Sequence, residues 1–385
     1  MSLVLTPPPR RILVRGVNWL GDAVMTTPAL LRLREKFPDA HITLLGPEKL
    51  RDLWRHHPAV DETISFMAGE GIFSVAKKIR RWGETPSSPN FDLALVLPNS
   101  PRSAMEIFFA GIPQRIGHAR PWRNFFLTQT VASRVGAVKM RKRSTDEIQR
   151  LISPTVAAPD ISNSKFQISN PAAHQIHEYL HLAAALGANP EPLTPQLFVT
   201  PEEIEFVKSE FRLNDTTYRR PFFGVNAGAE YGPAKRWPIQ KFIEATRQVQ
   251  ARVVCNWIIF GGKGDIELAG KIERALDDGT SVFNLAGHTT LRELMALLKI
   301  CRVLLTNDTG PMHVAAALGT PVVVPFGSTS PELTGPGLPG DSRNQLIKSD
   351  APCSPCFLRE CPIDFRCMNG ISTDRVVEAV LQAIR

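Results

Sequence analysis

Apolar residues along this 385-residue chain fall into two spacings. Short runs dense in Val, Ile and Leu occur at residues 12–15, 41–45, 92–97 and 114–117, separated by stretches with apolar positions three or four apart, such as 23–36 and 103–110. The first spacing predicts strands buried on both faces and the second amphipathic helices. Their alternation implies a mainly parallel α/β sheet covered on both sides. The rhythm returns in the second half, with strands predicted over 222–225, 257–260, 282–285 and 302–306 and helices over 239–251, 266–276 and 291–301. Between the halves, Asn189-Pro-Glu-Pro-Leu-Thr-Pro195 forbids helix and inner strand and reads as a linker. Residues 143–173, rich in Ser, Pro, Asn and Ala, read as an insertion or mobile loop. Residues 373–385 read as a last amphipathic helix, with Val376, Val377, Val380, Leu381 and Ile384 on one side. The expected organisation is a lobe over 1–190, a second over 196–372, and that helix.

Several predicted strands end in polar, glycine-containing loops. Asn307-Asp-Thr-Gly-Pro-Met-His313 follows one strand and opens a helix, with Asp308 or Thr309 as N-cap, Pro311 in the first turn and Gly319 as the stop. A loop delivered onto a helix start brings free backbone N–H groups and a positive dipole end together, which suits phosphate; Thr309 and Gly310 supply the first of those amides. Asn226-Ala-Gly-Ala-Glu-Tyr-Gly-Pro-Ala-Lys-Arg-Trp-Pro238 follows another strand. Gly228 permits close backbone approach and Lys235 can neutralise phosphate, although two solvated cations on a surface loop would read the same way. It lacks the spacing of a Walker A loop. Gly261-Gly-Lys-Gly-Asp265 closes a third strand and makes Lys263 and Asp265 candidates for ribose or adenine contacts. His313 lies one turn into its helix and reads either as a phosphate contact or as a packed helical histidine. Near the N-terminus, Gly16-Val-Asn-Trp-Leu-Gly-Asp22 follows the first strand; Asp22 is either turn chemistry or a general base.

Composition narrows the partners. Hydrophobic content of 43% is ordinary for a globular chain, and no apolar run approaches the length of a membrane span. Pro7-Pro-Pro-Arg-Arg11 interrupts any signal-peptide core, so the expected compartment is the cytoplasm. A net charge of +8 favours acidic partners. The basic clusters at 77–81 and 139–143 lack the aromatic interleaving of a nucleic-acid platform, and no nucleic acid is expected. Four of the six cysteines, Cys353, Cys356, Cys361 and Cys367, lie close in sequence. The first pair has the spacing of a zinc ligand pair but the second does not complete a standard ribbon, so a structural metal and reduced or redox-active thiols both stand.

The motifs at 18–22, 228–238, 307–313 and the cysteine tail occur in an order that resembles the lipopolysaccharide heptosyltransferases, glycosyltransferase family 9, and most of all those that add the second heptose. The resemblance runs from about residue 11 to the C-terminus. It implies a GT-B fold: two Rossmann-like lobes with parallel sheets facing a cleft, the last helix crossing back to the first lobe. It also implies an inverting transfer of heptose from ADP-heptose to the first heptose of the phosphorylated lipopolysaccharide inner core, with no metal or other cofactor required. Asp22 would then be the base, and Lys235 would stabilise the leaving diphosphate beside Thr309 and Gly310. Asp308 would cap the helix, and Asn18, Arg15, Arg120 and Arg123, with 139–143, would face the acceptor. The chain would sit by charge on the inner face of the cytoplasmic membrane. A related transferase with another donor or acceptor, and a non-catalytic nucleotide- or lipopolysaccharide-binding protein, are the alternatives.

Overall fold

A computed structural model describes residues 7–83, 90–153, 168–213, 220–276 and 282–385. They form two compact units. The first ends at Ala137 and takes in Gln175–Phe198; the second holds Val138–His174 and Val199–Arg385.

The first unit contains β1 (Arg11–Arg15), β2 (His41–Pro47), β3 (Glu62–Phe66), β4 (Leu93–Val96), β5 (Gln114–His118) and β6 (Gln129–Val131). All pairings are parallel, in the order β3-β2-β1-β4-β5-β6. The second unit contains β7 (Phe222–Asn226), β8 (Asn256–Ile259), β9 (Val282–Asn284), β10 (Cys301–Thr306), β11 (Val322–Phe326) and β12 (Gln345–Lys348), also all parallel, in the order β12-β11-β10-β7-β8-β9. Each sheet therefore runs outward from its first strand, returns, and runs the other way. The reversal leaves a crevice beyond the carboxyl ends of β1 and β4 in one unit and of β7 and β10 in the other, where α/β sheets bind ligands.

The core follows the apolar runs. Leu13, Leu45, Ala94 and Val96 pack with Val75, Ile79 and Ile107 in the first unit. Val225, Trp257, Leu305 and Val323 pack with Phe242, Val249 and Ile272 in the second. Helix Thr373–Ala383 adds Val376, Val377 and Val380 to this second core and lies against helix Ile239–Arg252 and strands β10, β11 and β12. Its valine stripe is buried on the second sheet.

Two boundaries also move. The proline-rich stretch at 189–195 belongs to the first unit, where Arg32 Nε donates to the Glu191 carbonyl (2.9 Å) and the Gln196 N–H to Thr27 Oγ1 (3.1 Å). The expected insertion belongs to the second. Its first part is helix Thr145–Leu151, capped by Ser144, and Ile148 packs on Cys353 and Cys356. Residues 154–167 of that segment lie outside the described residues.

Candidate functional site

The crevice of the second sheet gathers most of the candidate residues. Asn307, fully buried at the end of β10, ties its loop to the loop after β7. Its Nδ2 donates to the Ala227 carbonyl (2.8 Å), and its Oδ1 accepts the Trp237 N–H (2.9 Å). This clasp sets the two loops side by side. Asp308, 3% exposed, then reaches Lys235 Nζ at 2.6 Å and accepts a 2.6 Å hydrogen bond from Thr329 Oγ1. The expected capping role of Asp308 is corrected. Helix Gly310–Ala317 has Thr309 at its N-cap position with no side-chain cap, because the Asp308 carboxylate is engaged by the lysine and the threonine. A helix start without a side-chain cap, beside an ammonium, suits an anionic ligand.

His313 lies one turn into that helix and is buried. Desolvation pushes its pKa down to about 4. Asp308 opposes that shift, whereas His174 and Lys235 add to it, so the imidazole is neutral at ordinary pH. It can exchange hydrogen bonds with a ligand but brings no charge. His174, also buried, is within 2.9 Å of the Gly335 carbonyl through Nε2.

Gly228 is required where it stands. A Cβ there would lie 2.3 Å from Asp265 Oδ2. Asp265 accepts the Gly262 N–H (3.1 Å) and lies 3.7 Å from Arg236 Nη2. Buried Arg236 Nε has no hydrogen-bond partner among the described residues. The loops after β7 and β8 therefore meet at Gly228 and Asp265, while Lys263 is exposed on the same turn.

Tyr231 was not singled out from the sequence. Its ring carries Lys235 Nζ 5.0 Å from the centroid and the Arg359 guanidinium at 5.1 Å, and its hydroxyl donates to the Phe357 carbonyl (3.0 Å). The Arg359 carbonyl accepts the Ala234 N–H (3.0 Å) and approaches Gly232, at φ +154°, so closely that a Cβ would fall 2.5 Å from it. The cysteine-bearing segment thus braces the Lys235 loop from below. It is itself fixed by the Cys356 and Phe357 N–H groups donating to the Ser328 carbonyl (3.1 and 2.7 Å). Burial raises the thiol pKa values of Cys353, Cys356 and Cys367, the last to about 12, and neighbouring cysteines raise them further. Among the described residues no group of His, Cys, Asp or Glu is arranged to hold a metal ion, these four included.

The first unit's crevice is organised around Arg15, whose expected acceptor role is corrected. It is 2% exposed. Its Nε pairs with fully buried Glu106 at 2.8 Å, and its Nη1 donates to the Gly16 carbonyl (2.5 Å) and to Asn18 Oδ1 (3.1 Å). Burial lowers its pKa and Glu106 opposes that shift. Arg15 therefore shapes the turn that presents exposed Asn18 and half-buried Asp22. Asp22 stands in the first turn of helix Leu20–Met25, near enough to Tyr179 to help burial raise that phenol's pKa. Arg123 is likewise no surface contact. It is fully buried, with Nη1 3.4 Å from Asn99 Oδ1 and Nε and Nη2 unpartnered among the described residues, and burial pushes it down to about 10. Arg120, half-buried, donates to Ser133 Oγ (2.9 Å). The basic run at 139–143 falls in the second unit, where the Arg143 N–H donates to the Cys356 carbonyl (3.0 Å).

Two parallel sheets of this strand order, with anion-suited loops at a reversal point, make the GT-B fold. Known proteins narrow the class. The model of glycosyltransferase family 9 (heptosyltransferase) matches residues 79–365. Lipopolysaccharide heptosyltransferase 2 of Escherichia coli (strain K12) is 32% identical over 335 residues, 85% of either chain. Lipooligosaccharide heptosyltransferase 2 of Haemophilus ducreyi (strain 35000HP) is 30% identical over 85% of this chain and 86% of its own. The solved structure of E. coli ADP-heptose lps heptosyltransferase II matches with a TM-score of 0.73 at 28% identity, covering 97% of this chain and 98% of that one. The family 9 structure from Veillonella parvula DSM 2008, at 21% identity and a TM-score of 0.75 over 97% of each chain, shares the fold. This chain belongs to glycosyltransferase family 9, the heptosyltransferases.

Proposed function

We propose that the chain transfers L-glycero-D-manno-heptose from ADP-heptose to the first heptose of the lipopolysaccharide inner core, with inversion at the anomeric carbon. The observation that carries this reading is the Lys235–Asp308 pair at the start of helix Gly310–Ala317, at the reversal of the second sheet. Asp308 and Tyr231 hold the ammonium in place before a ligand arrives. The diphosphate of the donor then meets Lys235 and the amides of Thr309 and Gly310, which stabilise the charge that develops as ADP leaves. Arg236, Lys263 and Asp265 are assigned to the nucleoside end and His313 to a neutral hydrogen bond with phosphate or sugar. Asp22, in the other unit, takes the proton from the attacking acceptor hydroxyl, in a turn whose shape Arg15 maintains. No step is assigned to a metal. Similarity to relatives named as heptosyltransferase 2 supports the choice of donor and acceptor. A phosphorylated, membrane-held acceptor would place the working enzyme at the inner face of the cytoplasmic membrane, with Arg120 on the acceptor side.

The test is a product assay. ADP-heptose and a core acceptor bearing one heptose should yield a two-heptose product with release of ADP, while UDP- and GDP-sugars and a heptose-free acceptor should not. Transfer to the heptose-free acceptor instead would assign the chain to the first-heptose step. ADP binding without transfer under every pairing would make it a binding protein.

A further inference from the structure

An exposed aromatic surface on the first unit is unused by this reaction. Phe73, on helix Ile72–Gly83, is 68% exposed and meets Phe109 at a tilt of 52° with centroids 4.7 Å apart. Phe109 meets Phe108 at 5.4 Å. Phe108 meets Phe126 at 5.4 Å and Phe125 at 6.2 Å, and Phe125 is 81% exposed. The rings form one connected strip across three separate segments. Trp122, three residues before Phe125, is 90% exposed and stands at φ +63°, a conformation that bulky residues rarely adopt. A chain gains nothing in folding by turning its largest side chain outward in that way. Contiguous exposed aromatics mark an interaction surface.

The charge around the strip identifies the partner. Residues 71–83 and 107–140 contain no Asp or Glu, and Glu70, just before this helix, is engaged by Ser74 Oγ (2.8 Å) and Lys78 Nζ (3.0 Å). Lys77, Arg80 and Phe73 share one face of their helix by spacing, and Arg115 lies 5.3 Å over the Phe108 ring. A second copy of this face would set positive charge against positive charge, which disfavours self-association. Aromatic rings at the headgroup level, rimmed by Lys and Arg, are the chemistry of a surface that lies on anionic lipid.

We infer that Phe73, Trp122 and Phe125 enter the headgroup layer of an anionic membrane, with Lys77 and Arg80 on the surrounding phosphates. Charge brings the protein to the membrane and the rings hold it there. This differs from adsorption by charge alone, which high salt would abolish. It goes beyond the proposed transfer, and its test contains neither donor nor acceptor, so either can fail without the other.

The experiment is co-sedimentation of the full chain with phosphatidylglycerol–phosphatidylethanolamine vesicles and with phosphatidylcholine vesicles, at low and high salt. The wild type should bind the anionic vesicles strongly and keep a salt-resistant remainder. The W122S/F125S double variant should lose roughly tenfold or more of its binding and all of that remainder. Its ADP affinity should be unchanged. Brominated lipid should quench wild-type tryptophan fluorescence more than that of Trp122→Phe, a readout that stands even if the double variant folds poorly. Equal binding by wild type and double variant, binding wholly lost at high salt, or a Trp122-dependent dimer that ignores vesicles would each overturn the inference.

Discussion

The two crevices share a strand order and differ in how they bury charge. In the first unit the buried charge is a pair, Arg15 at 2% exposed and Glu106 at 0%, with a half-buried carboxylate, Asp22, on the helix that follows the turn the arginine shapes. In the second unit the buried charge is a carboxylate: Asp308, 3% exposed, with Lys235, 15% exposed, as the group placed outward. The first crevice thus presents a carboxylate and the second an ammonium. In the proposed reaction the buried groups hold shape and the presented ones meet substrate, so substitutions at the two kinds of position should fail in different ways.

The largest effect should come from breaking the first unit's buried pair. Glu106 faces Arg15 at 2.8 Å and Arg102 at 2.9 Å from inside the core. Glu106→Ala leaves the Arg15 charge buried without its carboxylate and should destabilise the chain by about 3–5 kcal/mol, read as a lower urea midpoint. Asp22→Ala on the same crevice should barely move that midpoint, yet it should abolish transfer while ADP still binds. If Glu106→Ala lost activity with stability intact, the assignment of Arg15 to shape would be wrong.

In the second unit, Lys235→Ala should lower turnover by about 10²–10³-fold, the usual loss for one well-placed electrostatic donor, and weaken ADP binding. Asp308→Asn is the sharper probe. It keeps an acceptor for Thr329 Oγ1 while removing the charge that holds the ammonium, so the donor KM should rise more than kcat falls. A Lys235→Ala enzyme that turned over normally would remove that residue from the mechanism.

Acid should act on both units through neutral buried histidines. Burial pushes His57 and His118 in the first unit and His313 in the second down to about 4 from an ordinary value near 6.5. A lowered folded pKa means that the unfolded chain binds protons the folded chain refuses. Stability should therefore be flat above about pH 6.5 and fall as pH drops from there towards 4, by on the order of 3 kcal/mol per histidine at most. Urea titrations at pH 7.5 and 5 would show it. His313→Gln should remove one histidine's share of the slope and leave the share from the first unit. An unchanged slope would mean that His313 is protonated in the folded chain.

The sequence carries this organisation unevenly, for physical reasons. Runs such as Ile12-Leu-Val14 and Val303-Leu-Leu305 are apolar because both faces of a central parallel strand are covered, so they are legible alone. The half-exposed outer strands β3, β6 and β12 lack that mark and were not anticipated. The loops at both reversal points could be read because glycine, asparagine and helix-start chemistry is local. The role of Arg15 could not, since its partner Glu106 lies 91 residues away. The valine stripe of the last helix predicts a buried face without saying which sheet covers it. The Cys353–Cys356 spacing left metal and thiols both open, and the brace this segment makes for the Lys235 loop, through the Arg359 and Phe357 carbonyls, exists only once the folded chain brings them together.

The smallest effect tests that brace. Tyr231 supports Lys235 in two ways, through the ring face shared with Arg359 and through the hydroxyl on the Phe357 carbonyl. Tyr231→Phe removes the hydrogen bond alone, worth about 1 kcal/mol net, and keeps the ring. Tyr231→Leu removes both and frees the two cations from the π-face, each contact worth about 0.5–2 kcal/mol. If the ring is what aims the ammonium, the Phe variant should bind ADP within about threefold of wild type and the Leu variant roughly tenfold more weakly, with lower turnover as Lys235 loses its place. Calorimetric ADP titrations of the two variants decide between the supports. Equal losses would assign the positioning to the hydroxyl and the cysteine-bearing segment beneath it, and wild-type affinity in both would leave Asp308 as the residue that holds Lys235.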